Sequence, residues 1–201
     1  MNTVTFVKSK TLRGITLAFF LFLNGCAYSH SFYEPLAPAA KVGAEPGFFF
    51  LNDRATIILS PNVRLSIKVD DRGKKAYLTA TIYIPDKNSV QLEDDILAVR
   101  SESGTDHYKI NEIMGVLFKD RSIEHRQFAP KERLPGSTGK TEVSQGKFED
   151  IHSMFEVEIV MPRARLAEIH FPKIVINNRP MDVPPVKFRR KWGLVFYYGM
   201  K

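Results

Sequence analysis

Apolar and polar residues alternate along much of this chain. Val63, Leu65, Ile67 and Val69 alternate with Arg64, Ser66 and Lys68, the period-two pattern of a strand with one buried face. Asp70 to Lys75 reads as a turn. Alternation then resumes from Ala76 to Ile84, with Leu78, Ala80, Ile82 and Ile84 on one face and Tyr77, Thr79, Thr81 and Tyr83 on the other, which predicts a hairpin. Phe155, Val157 and Ile159 face inward in a predicted strand over Met154–Met161, against Glu156 and Glu158. Shorter strand signals fall at Ala55–Ser60, Val90–Leu92, Ile96–Ser101, Tyr108–Ile113, Val116–Phe118, Ser122–Phe128, Ile174–Ile176, Met181–Phe188 and Trp192–Tyr198. Asn177-Asn178 suits a tight turn that needs positive φ. Pro180, Pro184 and Pro185 cannot donate ladder hydrogen bonds, so Met181–Phe188 is expected on a sheet edge. The only helical expectation is two turns over Arg163–Ile169. Short strands with regularly spaced turns predict an all-β fold, a two-sheet antiparallel sandwich of general immunoglobulin-like shape.

The amino-terminal pattern is different. Lys8, Lys10 and Arg13 precede the apolar run Ile15–Leu23, which is too short for the ~20 residues of a membrane-spanning helix. Basic flank, short apolar core and small residue make a secretory signal. Residues 1–25 are assigned to it. Leu23-Asn24-Gly25-Cys26 resembles the lipobox of bacterial lipoproteins, with Asn24 departing from the small or β-branched residue usual there. The resemblance implies cleavage before Cys26 and a diacylglyceryl and N-acyl lipid on that residue, with no other cofactor. Ala27, a residue other than Asp, implies the periplasmic face of an outer membrane where the host has one. Two alternatives stand beside it: an ordinary cut at Gly25-Cys26-Ala27, releasing a soluble domain from Tyr28, or an uncleaved anchor. Cys26 is the one cysteine in the chain, so the exported domain has no disulfide.

Cleavage removes three basic residues of 29 and no acidic ones, so net charge falls from +7 to +4, too mild to argue for nucleic acid. Residues 26–47, with Pro35, Pro38, Gly43, Pro46 and Gly47, read as a tether. Tyr28, Phe32 and Tyr33 would then lie near the membrane interface or in disordered chain. Residues 48–201 form one domain, interrupted by a polar loop near 129–147.

Within that loop, Gly139-Lys140-Thr141 matches only the end of a phosphate-binding loop. The first glycine of the motif would fall at Leu134, and the flanking strand and helix are missing, so no nucleotide is expected. The five histidines, His30, His107, His125, His152 and His170, have no metal-ligand spacing, and no metal is expected. Asp70-Asp71 and Glu93-Asp94-Asp95 read as solvated turns rather than calcium loops. There is no nucleophile elbow, and no catalytic residue is proposed. Lys187, Arg189, Arg190 and Lys191 are a candidate anionic surface. On an unbroken strand Arg190 would share the inward face with Phe188 and Trp192, which requires a break, a bulge or an acidic partner. Trp192, Phe196 and Tyr197 are a candidate aromatic platform for glycan or lipid.

The expected function is that of a non-enzymatic envelope lipoprotein, held to the bilayer by its acyl chains and acting as an interaction or assembly module for an envelope protein. An exposed strand edge would receive the partner. The alternative is a glycan- or lipid-binding lipoprotein.

Overall fold

A computed structural model describes residues 26–36, 41–43, 54–119, 122–144 and 147–197. Among them lie seventeen strands and no helix. The first six are β1 Cys26–Leu36, β2 Lys41–Gly43, β3 Arg54–Ile58, β4 Arg64–Arg72, β5 Lys75–Ile84 and β6 Ser89–Leu92. The next six are β7 Ile96–Ser101, β8 Gly104–Lys109, β9 Ile113–Lys119, β10 Ser122–Phe128, β11 Leu134–Pro135 and β12 Thr138–Ser144. The last are β13 Lys147–Pro162, β14 Leu166–His170, β15 Ile174–Ile176, β16 Arg179–Met181 and β17 Val186–Tyr197.

The chain divides into two compact units, and the larger, Phe32–Lys191, holds the core. Its antiparallel sheets stack in a sandwich-like arrangement, and none closes into a barrel. One sheet runs β1-β17-β14-β7-β8 and a larger one runs β10-β9-β13-β5-β4-β3-β2, with β12 pairing β13 beside that path. A smaller third sheet, β11-β6-β15-β16, accompanies the two principal ones. The core follows the alternation: Leu65, Ile67, Leu78, Ala80, Ile82, Phe155 and Val157 from the larger sheet meet Leu97, Ala167, Ile169 and Phe188 from the other, all essentially inaccessible to water.

Several local expectations hold. The β4–β5 hairpin pairs Val69 with Leu78 and Leu65 with Ile82. Asn177 and Asn178 take φ 51° and 67° in the two-residue turn joining β15 to β16, the conformation that twists with the strands it joins. Pro180 lies in β16, an edge strand, but the expected edge strand Met181–Phe188 is divided, since Met181 ends β16 and Val186–Phe188 opens β17, which runs between β1 and β14.

Other expectations are corrected. The hairpin does not turn at Asp70, because pairing continues through Asp71↔Ala76 and Arg72↔Lys75, leaving Gly73 (φ 68°) and Lys74 at the tip. Residues 163–169 do not form a helix. β14 pairs with β7 and β17 on either side, and two ladders outweigh a short helix propensity. The expected tether contains β1, with Tyr33 fully buried and Phe32 half-buried, because an edge position beside β17 satisfies its backbone. The expected polar loop contains β11 and β12. β12 pairs with the first part of β13, and this is why β13 reaches back to Lys147.

Gly139 and Gly136 are explained by crowding rather than by phosphate. A Cβ on Gly139 would sit 2.9 Å from the Phe118 ring of β9. At Gly136 it would lie 2.0 Å from the carbonyl oxygen of Pro85, a backbone atom with little freedom to withdraw. Gly136→Ala is therefore expected to lower stability by about 2–3 kcal/mol. Gly73→Ala, left-handed but with nothing within 4 Å of the new Cβ, should lose only about 1–2 kcal/mol. Denaturant midpoints of the two variants check the order.

Candidate functional site

The inward row of β4 runs Leu65, Ile67, Val69 and then Asp71, so the pleat carries a carboxylate into the core region at the hairpin tip. Its side chain has no exposed surface. Two arginines meet it. Arg163, just after β13, donates from Nη2 to Oδ2 at 2.9 Å, while its Nε makes an ionic approach to Oδ1 at 2.8 Å that is not an aligned hydrogen bond. Arg190 of β17 donates from Nε to Oδ2 at 2.6 Å. Tyr33 of β1 closes the cluster: its hydroxyl donates to the carbonyl of Ala164 at 2.8 Å and accepts from the Ala164 amide at 3.0 Å. Burial pushes the Tyr33 phenol above its ordinary pKa, and the Asp71 charge adds to the rise, against the hydrogen bond with Ala164 and both arginines.

Arg190 thus receives the acidic partner that its inward parity demands. Two of the other three residues of the candidate anionic surface are likewise engaged by the protein's own carboxylates. Lys187 Nζ lies 3.6 Å from Glu168, and Lys191 pairs with Glu34. Arg189 faces solvent opposite Leu166. Lys187, Arg189 and Lys191 share the exposed face of β17 at every second position, Lys187 and Lys191 against carboxylates, while Arg190 faces the other way.

Trp192 of the candidate aromatic platform is 68 % exposed. The side chains of Phe196 and Tyr197, like that of Cys26, lie outside the described residues, as do Leu23, Asn24 and Gly25 altogether. Among the described residues no group of three metal-ligating side chains occurs, and no helix is long and apolar enough to cross a membrane. His152 Nδ1 approaches the Thr138 hydroxyl at 3.2 Å, and His170 lies 3.3 Å from Glu168. The buried Ser153 is held structurally. Its hydroxyl donates to the Ile84 carbonyl at 2.7 Å and accepts from the Ser137 amide at 3.1 Å.

One concave feature involves the backbone itself. β9 pairs with β13 only over Met154↔Val116, Phe155↔Gly115 and Glu156↔Met114. The chain before Ile113 is drawn away toward β7, where the Ile110 amide donates to the Asp95 carbonyl at 2.7 Å. A groove of about 390 Å³ opens between the two, lined by Tyr108, Glu112 and Met114 on one side and Glu156, Glu158 and Val160 on the other. Burial, with a contribution from Asp106, raises the pKa of Tyr108 at its rim.

No family model matches the chain, and no curated protein matches it.

One feature of this geometry had a partial signal in the sequence. Asp71 is the next inward position after Val69, so continuing the alternation two residues further finds it; the acidic pair had suggested a solvated turn. Arg163 and the open part of β13 have no such local signal, because what meets them comes from distant chain. Removing the carboxylate should leave two guanidinium groups facing each other: Asp71→Asn is expected to lower stability by about 3–5 kcal/mol in denaturant unfolding. A pH effect follows from Tyr33. Its folded pKa lies above its unfolded value of 10.0, so its contribution is present below pH 10 and lost as pH rises through the folded pKa. Tyr33→Phe should reduce the loss of stability measured between about pH 9 and 11.

Proposed function

We propose that this protein is a lipid-anchored envelope protein whose β-sandwich domain serves as a non-enzymatic interaction or assembly module. The single observation that carries the address is Leu23-Asn24-Gly25-Cys26 following a basic flank and a short apolar run. Acylation at Cys26 by both a diacylglyceryl and an N-acyl group supplies the several chains that stable anchoring takes. The outer membrane, periplasmic face, is the destination that Ala27 favours where such a membrane exists.

The module reading is supported by how the polar groups are used. Asp71, Arg163 and Arg190 are engaged with one another, Lys187 and Lys191 with neighbouring carboxylates, and Ser153 with backbone. Such groups hold the fold together, whereas an interaction module works through its surface and strand edges. A glycan- or lipid-binding role is the second reading, and the exposure of Trp192 is what favours it. Its sign would be a shift and protection of Trp192 fluorescence on adding envelope glycan or lipid.

The anchor is tested by expressing the full chain with its own signal in a bacterial host, beside Cys26→Ala. The expected wild-type mass is that of residues 26–201 plus the diacylglyceryl and acyl groups, in the membrane fraction, with Cys26→Ala left uncut. An unlipidated soluble product starting at Tyr28 would overturn the anchored reading.

A further inference from the structure

We infer that the open edge of β13, residues 157–161, receives an extended basic segment of a partner protein as an added strand. This rests on the reading of the domain as an interaction module and names what the module binds.

β13 is paired with β5 without a break from Ser153 to Pro162. On its other side, among the described residues, pairing with β9 ends at Glu156. Beyond that point alternate N–H and C=O groups of β13 point into the groove, a ready template for another strand. The template is rigid, because its inner face is locked into the core: Val157, Ile159 and Met161 are 1 %, 7 % and 2 % exposed. The incoming strand therefore need not order β13.

The outer face sets the chemistry. Glu156, Glu158 and Val160 stand on it at every second residue, and all three are exposed. Neither glutamate forms an ion pair among the described residues, and Glu112 adds a third carboxylate from the opposite wall. Among the described residues, Lys109 is the one cation lining the groove, and it lies 4.0 Å from Asp95. A strand laid along this edge places its own alternate side chains about 5 Å from those of β13. A lysine or arginine would then oppose Glu158, with Glu156 and Glu112 beside it, followed two residues on by an apolar residue against Val160, which is 43 % exposed. The same charges disfavour a second copy of this chain, since two 157–161 edges paired antiparallel make their Glu158 carboxylates diagonal neighbours. The edge is thus closed to acidic strands and to itself, and open to basic ones.

The test uses the full chain in detergent and two fluorescein-labelled peptides of about nine residues. One alternates lysine with threonine and valine, and the other carries glutamate in place of lysine. Anisotropy should show the lysine peptide binding about tenfold tighter than the glutamate peptide, as one charge pair with Glu158 and the neighbouring carboxylates of Glu156 and Glu112 provide. The charge-reversed variant Glu156→Lys/Glu158→Lys, altered only at exposed positions, should invert that preference. A lysine peptide N-methylated at alternate amides should lose binding, and hydrogen exchange should slow at residues 157–161 when the unmodified peptide is bound. Equal affinity for the two peptides, an unchanged preference in the reversed variant, or protection on another edge such as β10 would each overturn the proposal. Peptide binding needs no acyl chain, so a chain that is not lipidated and still selects the lysine peptide supports the edge while removing the envelope reading. An envelope partner captured equally by wild type and reversed variant would overturn the edge assignment and leave the module standing.

Discussion

A buried carboxylate between two arginines is the constraint around which this domain is arranged. Asp71 has no access to water, so its charge must be met inside the protein, and unpaired it would cost several kcal/mol. Arg163 and Arg190 meet it from chain 92 and 119 residues away. The tip of the β4–β5 hairpin, the start of the segment leading to β14, and the middle of β17 are thereby brought to one point. Tyr33 adds β1 through its two hydrogen bonds with Ala164. A purely apolar contact would tolerate sliding of these strands. A two-arginine, one-carboxylate cluster has far fewer acceptable arrangements, and it sets the register of β17 at the residue where its inward row changes from Phe188 to Arg190.

The other organising element is β13. Its first part pairs with β12, its second with β5, and a three-residue stretch with β9, so a single strand is shared among several ladders. The consequence is an opening. A strand of 16 residues outruns its partners on one side, and with the withdrawal of Ile110 toward Asp95 no described residue pairs with that side beyond Glu156. The same packing that secures Val157 and Ile159 in the core holds the unpaired edge in place. Structural rigidity and the proposed docking surface therefore come from one feature.

The strands with clean alternation were legible from the chain alone. The β4–β5 hairpin, the inward row of β13 and the Asn177-Asn178 turn follow from side-chain period and from the tolerance of asparagine for positive φ, both local properties. Elements whose pairing partners are remote were not legible. β1 looked like a proline-containing tether, β12 like a polar loop and β14 like a short helix, since each becomes a strand only when a neighbouring ladder accepts its backbone groups. The basic run Lys187–Lys191 suggested an anionic surface for the same reason: sequence shows the charges and not the carboxylates of Glu168, Asp71 and Glu34 that meet them.

By itself the sequence determined the all-β class and the main core rows, because hydrophobic period is written in neighbouring residues, and it carries the lipobox-like pattern on which the proposed address rests. Only the tertiary structure decided that Asp71 is a buried anchor rather than a turn carboxylate, that the glycines at 136 and 139 answer to crowding, and that β13 keeps an open acidic edge. Those outcomes depend on which distant strands reach each position, and no local pattern records that.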